Sequence, residues 1–167
     1  PTSLEQKNAP PSSFNLPLSS LSANQCVVRT NPAAARQSWA LAACNDQFGG
    51  LQVYLTRNLE APVPAWNRVA ASAISAVGDA SLVWSSDGER AWLGGLEFQA
   101  NVLRPAVYRF TFGATGEPQV AGPVFIGSVQ GEKLRLHLHP ANPDRLYAVW
   151  QRNFIINFAT GNADGSL

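Results

Sequence analysis

At 167 residues, 46% hydrophobic and 14% charged, the chain is long enough to bury a core and too apolar to be a disordered tail. Twelve Lys and Arg stand against eleven Asp and Glu, and no two basic residues are adjacent, which argues against a nucleic-acid footprint or a polybasic membrane patch. No apolar stretch approaches the ~20 residues of a membrane-spanning helix. Abundant Gly, Pro and Trp, with no Met, point to short strands joined by many turns.

In chain order, residues 1–22 (PTSLEQKNAPPSSFNLPLSSLS) are rich in Pro, Ser and Asn and read as an extended or disordered leader. An alternative places Phe14-Asn15-Leu16-Pro17-Leu18 along a sheet edge, where a proline is tolerated. The first residue is Pro1, so either a targeting segment has been removed or the sequence is a piece of a longer polypeptide. Cys26 and Cys44 are the only cysteines, without a CxxC or zinc spacing. They are either two buried thiols or a disulfide. A hairpin turning near Ala34-Ala35 brings Cys26 opposite Ala43 or Cys44, which favours the disulfide and an oxidising compartment: secreted, periplasmic or cell-surface.

Three segments then repeat one pattern: CVVRTNPAAARQSWALAACND from Cys26, SLVWSSDGERAWLGGLEF from Ser81 and LRLHLHPANPDRLYAVWQR from Leu134. Each is an apolar strand, a turn, then a second apolar strand entered by an aromatic. That aromatic is Trp39, Trp92 and Tyr147, giving steps of 53 and 55 residues. Ser86-Asp87-Gly88 and Asn142-Pro143-Asp144 read as the strand-breaking turns. Third strands follow at 51–56, 106–111 and 154–158, and fourth strands near Trp66–Val69 and Val120–Ile126.

The expected fold is therefore all-β. Four-stranded antiparallel units of about 53 residues form a partial β-propeller over 23–167, with blades at about 24–70, 79–127 and 133–167. A β-sandwich of short strands is the alternative. Three blades do not close a ring, and core-like sheet faces left open are untenable for a monomer. A second chain is thus expected to supply the remaining blades: a piece of the same precursor, a distinct subunit, or a second copy.

Gly78–Leu96 (GDASLVWSSDGERAWLGGL) and His139–Trp150 (HPANPDRLYAVW) resemble the sialidase-like propellers with bacterial neuraminidase repeats. The resemblance spans about 24–165. Its hallmark, the Asp-box turn Ser/Thr-x-Asp-x-Gly, is degenerate at Thr56-Arg57-Asn58 and Thr111-Phe112-Gly113, and closest at Thr160–Gly165. The enzymatic branch implies an arginine cluster, a Tyr–Glu nucleophile and an Asp acid/base. Val28-Arg29-Thr30-Asn31-Pro32 departs from the motif that opens that site, so the resemblance carries fold and not sialidase activity.

The connections expected to form one rim contribute Asp46, Asp79, Glu97, Arg104 and Arg152 as ligand-binding candidates. Arginines there suit carboxylate or phosphate, and paired carboxylates suit acid/base work or Ca²⁺; each also suits ordinary loop hydrogen bonding. Asp79, beside Gly78 at the start of a first strand, is the strongest of them. Trp66, after the Pro-rich Ala61-Pro62-Val63-Pro64, is the candidate surface platform for a sugar. His137 and His139 share one strand face, yet a metal needs a third ligand that the local sequence lacks.

No nucleophile elbow, P-loop, HExxH or dinucleotide fingerprint is present, and no catalytic residue, metal or cofactor is expected. The reading is a binding or scaffolding module for a glycan, peptide or partner protein. Two alternatives stand beside it: part of a carbohydrate-active hydrolase or lyase whose site is shared with missing blades, and a structural subunit of a surface or redox assembly.

Overall fold

A computed structural model describes residues 21–162 apart from 47, 70–72, 115–116 and 127–129; the expected leader lies outside them up to residue 20. The described chain is all-β, with one 3-10 turn (Ala34–Arg36) as its only helical segment. Three antiparallel sheets follow one another, where a sandwich has two.

The first sheet orders β1 (Leu21–Thr30), β2 (Ala40–Asp46), β3 (Leu51–Thr56) and β4 (Asn67–Arg68) as a meander. The second repeats it with β5 (Val77–Trp84), β6 (Arg90–Gln99), β7 (Val102–Thr111) and β8 (Gln119–Phe125). The third has β9 (Glu132–His139), β10 (Asn142–Arg152) and β11 (Ile155–Asn162). The second and third strands of the last two sheets join through two-residue turns, Ala100-Asn101 and Asn153-Phe154. All four residues have positive φ, the pattern that matches strand twist in a tight hairpin. The expected turn at Asn142-Pro143-Asp144 is displaced. The chain turns one step earlier, and Asn142 opens β10 with a register shift before Leu146.

Strand alternation builds two cores between the sheets. Leu41, Val53 and Leu55 of the first sheet meet Leu82, Leu93, Tyr108 and Phe110 of the second. On the opposite face of the second sheet, Trp92 and Val107 meet Leu134, Leu136, Leu146, Ala148 and Trp150 of the third. At Gly94 the second and third sheets approach closely: a Cβ there would lie 2.9 Å from Leu134 Cδ2 and 2.9 Å from Leu136 Cγ.

In the first two sheets the aromatic that enters the second strand faces the following sheet. Trp39 meets Phe112 edge-on at 6.3 Å between ring centroids, and Trp92 is buried among leucines of the third sheet. Tyr147 stacks only within its own sheet, on Phe158 and His139, each at 5.6 Å. The far face of the third sheet therefore carries Tyr147, Val149, Ile156 and Phe158, the last two 76% and 59% exposed. The far face of the first sheet differs, because Ala40, Ala42, Cys44, Tyr54 and Trp66 are buried there with Leu59 packed among them.

Candidate functional site: a trough along the inner strands

The first strands β1, β5 and β9 lie beside one another, and a polar groove runs along them. One end holds about 320 Å³ and is lined by Cys26, Val27, Arg29, Asp79, Ser81 and Arg135. The adjoining end holds about 300 Å³, with Arg29, Thr30, Trp84 and His137 among its walls.

Arg29, Asp79 and Arg135 line this space from three sheets. Arg135 Nη2 stands 3.5 Å from Asp79 Oδ2, a pair still open to solvent. The two arginines are braced alike, each donating through Nη1 to the carbonyl of its preceding residue: Arg29 to Val28 at 3.0 Å and Arg135 to Leu134 at 2.9 Å. Ser81 Oγ is occupied, accepting the amide of Leu136 at 2.9 Å and tying β5 to β9. Two guanidiniums and one carboxylate along the same space leave an excess positive charge, suited to a carboxylate, sulfate or phosphate.

Of the ligand-binding candidates named from sequence, only Asp79 lies in this trough. Asp46 ends β2 and closes the following turn, accepting the amides of Phe48 at 2.8 Å and Gly50 at 2.9 Å and the Gln52 side chain at 3.3 Å. Partial burial pushes its pKa up, but those hydrogen bonds and the charge of Arg68 outweigh it and hold the carboxyl below its ordinary value.

Glu97 is 5% exposed between the first two sheets. Ser75 Oγ donates to both of its carboxylate oxygens, at 2.9 and 3.1 Å, and the Tyr108 hydroxyl donates to Oε1. Burial raises its pKa, and the Ser75 hydrogen bonds offset only part of that rise. Arg104 sits opposite Glu97 in the β6–β7 ladder, lies over the Phe125 ring at 5.2 Å and donates to Gln99 Oε1.

Arg152 is exposed at the far end of β10. The expected rim of converging side chains is thus dispersed over hairpin turns and inter-sheet core. Trp66 is a correction: at 8% exposure its ring packs with Ala40, Ala42 and Tyr54, so no stacking platform is presented to a sugar.

Cys26 and Cys44 face each other in the β1–β2 register and form a disulfide. His139 Nδ1 accepts the Ala141 amide at 3.1 Å, while His137 is among the residues lining the trough. Among the described residues no three His, Cys, Asp or Glu side chains gather as metal ligands, and no helix is long and apolar enough to cross a membrane. Sequence reasoning missed Arg29 as a ligand residue, and Arg135 altogether. The signal that could have found them is their place on first strands, which the stacking of the three sheets brings together.

No family model, curated protein or solved structure matches this chain.

Proposed function

We propose that this chain is an exported, sialidase-like binding and scaffolding module. Its three sheets are consecutive blades of a β-propeller, and its inner-strand trough receives an anionic group of a glycan, peptide or partner protein. The observation that carries the binding role is that Arg29, Arg135 and Asp79 line one concavity from three separate sheets, with Asp79 paired to Arg135. The disulfide favours the oxidising compartment.

Support for the blade reading comes from the repeated meander, the chain-order stacking and the aromatic that each of the first two units turns towards its successor. On this reading a second chain supplies the remaining blades and packs on the open face of the third sheet. The carboxylates weigh against the hydrolase alternative: Asp46 is spent on a turn, Glu97 is enclosed, and Asp79 is paired with Arg135.

The test is titration with an oligouronate and a Glu-rich peptide beside their neutral counterparts. The acidic ligands are expected to bind, and Arg135→Ala to weaken them about tenfold, the worth of one charge-assisted contact. Equal binding of neutral and acidic ligands, or indifference to Arg135→Ala, would overturn the assignment.

A further inference from the structure

The two ends of the trough differ in chemistry. Along β1, β5 and β9 the residue numbers rise from the first end to the second, so the three strands run the same way through it. Asp79 and Arg135 stand at the first end only. At the second, Arg29 and His137 are the titratable groups among the described walls, while Pro32, Val83 and Leu138 supply exposed or half-buried aliphatic surface. Arg29 is shared by both ends.

An anion held at the guanidiniums therefore has an apolar wall farther along the same groove. Sugar hydroxyls pressed against that wall would lose water without gaining partners. The aromatic there, Trp84, is 8% exposed, and its Nε1 already donates to the Arg29 carbonyl at 3.0 Å, so little ring is left for a sugar to stack on.

A peptide suits both ends, with a side-chain carboxylate at the arginines and a branched aliphatic side chain at Pro32, Val83 and Leu138. Asp79 and Val83 are four positions apart on β5, about 13 Å at ~3.3 Å per residue. An extended ligand rises at the same rate. Its acid and its aliphatic side chain would then be about four positions apart, which also puts them on one face.

Resting on the anion reading of the trough, we propose that its ligand is an extended acidic peptide and not an acidic glycan. The peptide carries Val, Ile or Leu about four positions from a Glu or Asp.

The probe is a capped peptide with Glu at its centre, Val four places away on both sides and Ser elsewhere, titrated into the full chain beside an oligouronate. Val on both sides makes it indifferent to the direction in which it lies. It is expected to bind about tenfold tighter than its Val-to-Ser counterpart, the low end for burying a Val side chain. It is expected to bind about tenfold tighter than its Glu-to-Gln counterpart as well. Val83→Thr keeps the shape of the wall but adds a hydroxyl, and is expected to cut the first ratio to about threefold. Arg135→Ala is expected to cut the second. Equal binding of the two Glu peptides, an oligouronate that binds as tightly as the probe, or a first ratio untouched by Val83→Thr would overturn the peptide assignment and leave anion binding standing. Val peptides that bind alike with Glu or Gln would instead overturn anion binding, and the assignment with it.

Discussion

Glu97 and Gly94 show how much of this structure hangs on single positions. The Glu97 carboxyl is shielded between two sheets, and its folded pKa lies above that of the unfolded chain. Between those two values the native state holds a proton that the unfolded state has released, so stability falls as pH rises through the window. Glu97→Gln keeps an acceptor for Ser75 and Tyr108 without a charge to desolvate. The variant is expected to gain stability over the parent as pH rises from 4 towards neutrality and to match it at lower pH, as measured by urea unfolding across pH. A parent whose stability climbs through that range faster than the variant's would contradict the assignment.

At Gly94 the constraint is volume. Gly94→Ala drives a methyl against Leu134 and Leu136 and is expected to cost about 1–3 kcal/mol, the range for overpacking a filled core. An unfolding midpoint equal to the parent's would show that β9 shifts freely.

At the level of elements, the disulfide and the cross-sheet latch hold the first sheet in place. Cys26–Cys44 closes a loop over a sequence separation of 18 residues. A loop of that size is worth about 3 kcal/mol in the chain-entropy account. The paired Cys26→Ser, Cys44→Ala substitution is expected to lose that much, read as a lowered urea midpoint. The latch is formed by Asn31 Nδ2 and Arg36 Nη1, which donate to the Gly88 carbonyl at 2.9 and 3.0 Å. Gly88 has φ +69°, and a Cβ there would fall 2.1 Å from Asn31 Oδ1.

These elements also mark how far the sequence could be read. The spacing of Trp39, Trp92 and Tyr147 gave the repeat, because each enters the second strand of its sheet, a place that recurs once per sheet. The third strand at 51–56 fell where alternation placed it. The two-residue hairpins at Ala100-Asn101 and Asn153-Phe154 carried no glycine to announce them. The site was less legible still. Asp79 was visible from its place before a first strand, whereas Arg135 acquires meaning only when β9 lies beside β5. Trp66 misled because a Pro-rich approach resembles an exposed loop, and its burial depends on packing over β2 and β3.

For the whole molecule, the far face of the third sheet decides behaviour in solution. Tyr147, Val149, Ile156 and Phe158 occupy places equivalent to those that the second sheet buries with Trp92 and Val107. Exposed apolar faces of this kind mark association surfaces. The purified chain is expected to have a native mass above its own 17.9 kDa, through a second chain or self-association. Ile156→Lys with Phe158→Glu is expected to return it to the monomer mass with its β spectrum intact. A parent that sediments as a stable monomer would remove the need for any partner on that face.

The trough has a consequence that reaches beyond binding. Its walls come from three sheets that the described hydrogen-bond ladders do not join into one, so the gap between Arg29, Asp79 and Arg135 measures how tightly those sheets are pressed together. A ligand that spans the gap favours the compressed arrangement, and by reciprocity anything that compresses the stack improves the ligand's grip. A protein covering the third sheet would then tune the affinity of a groove it never touches.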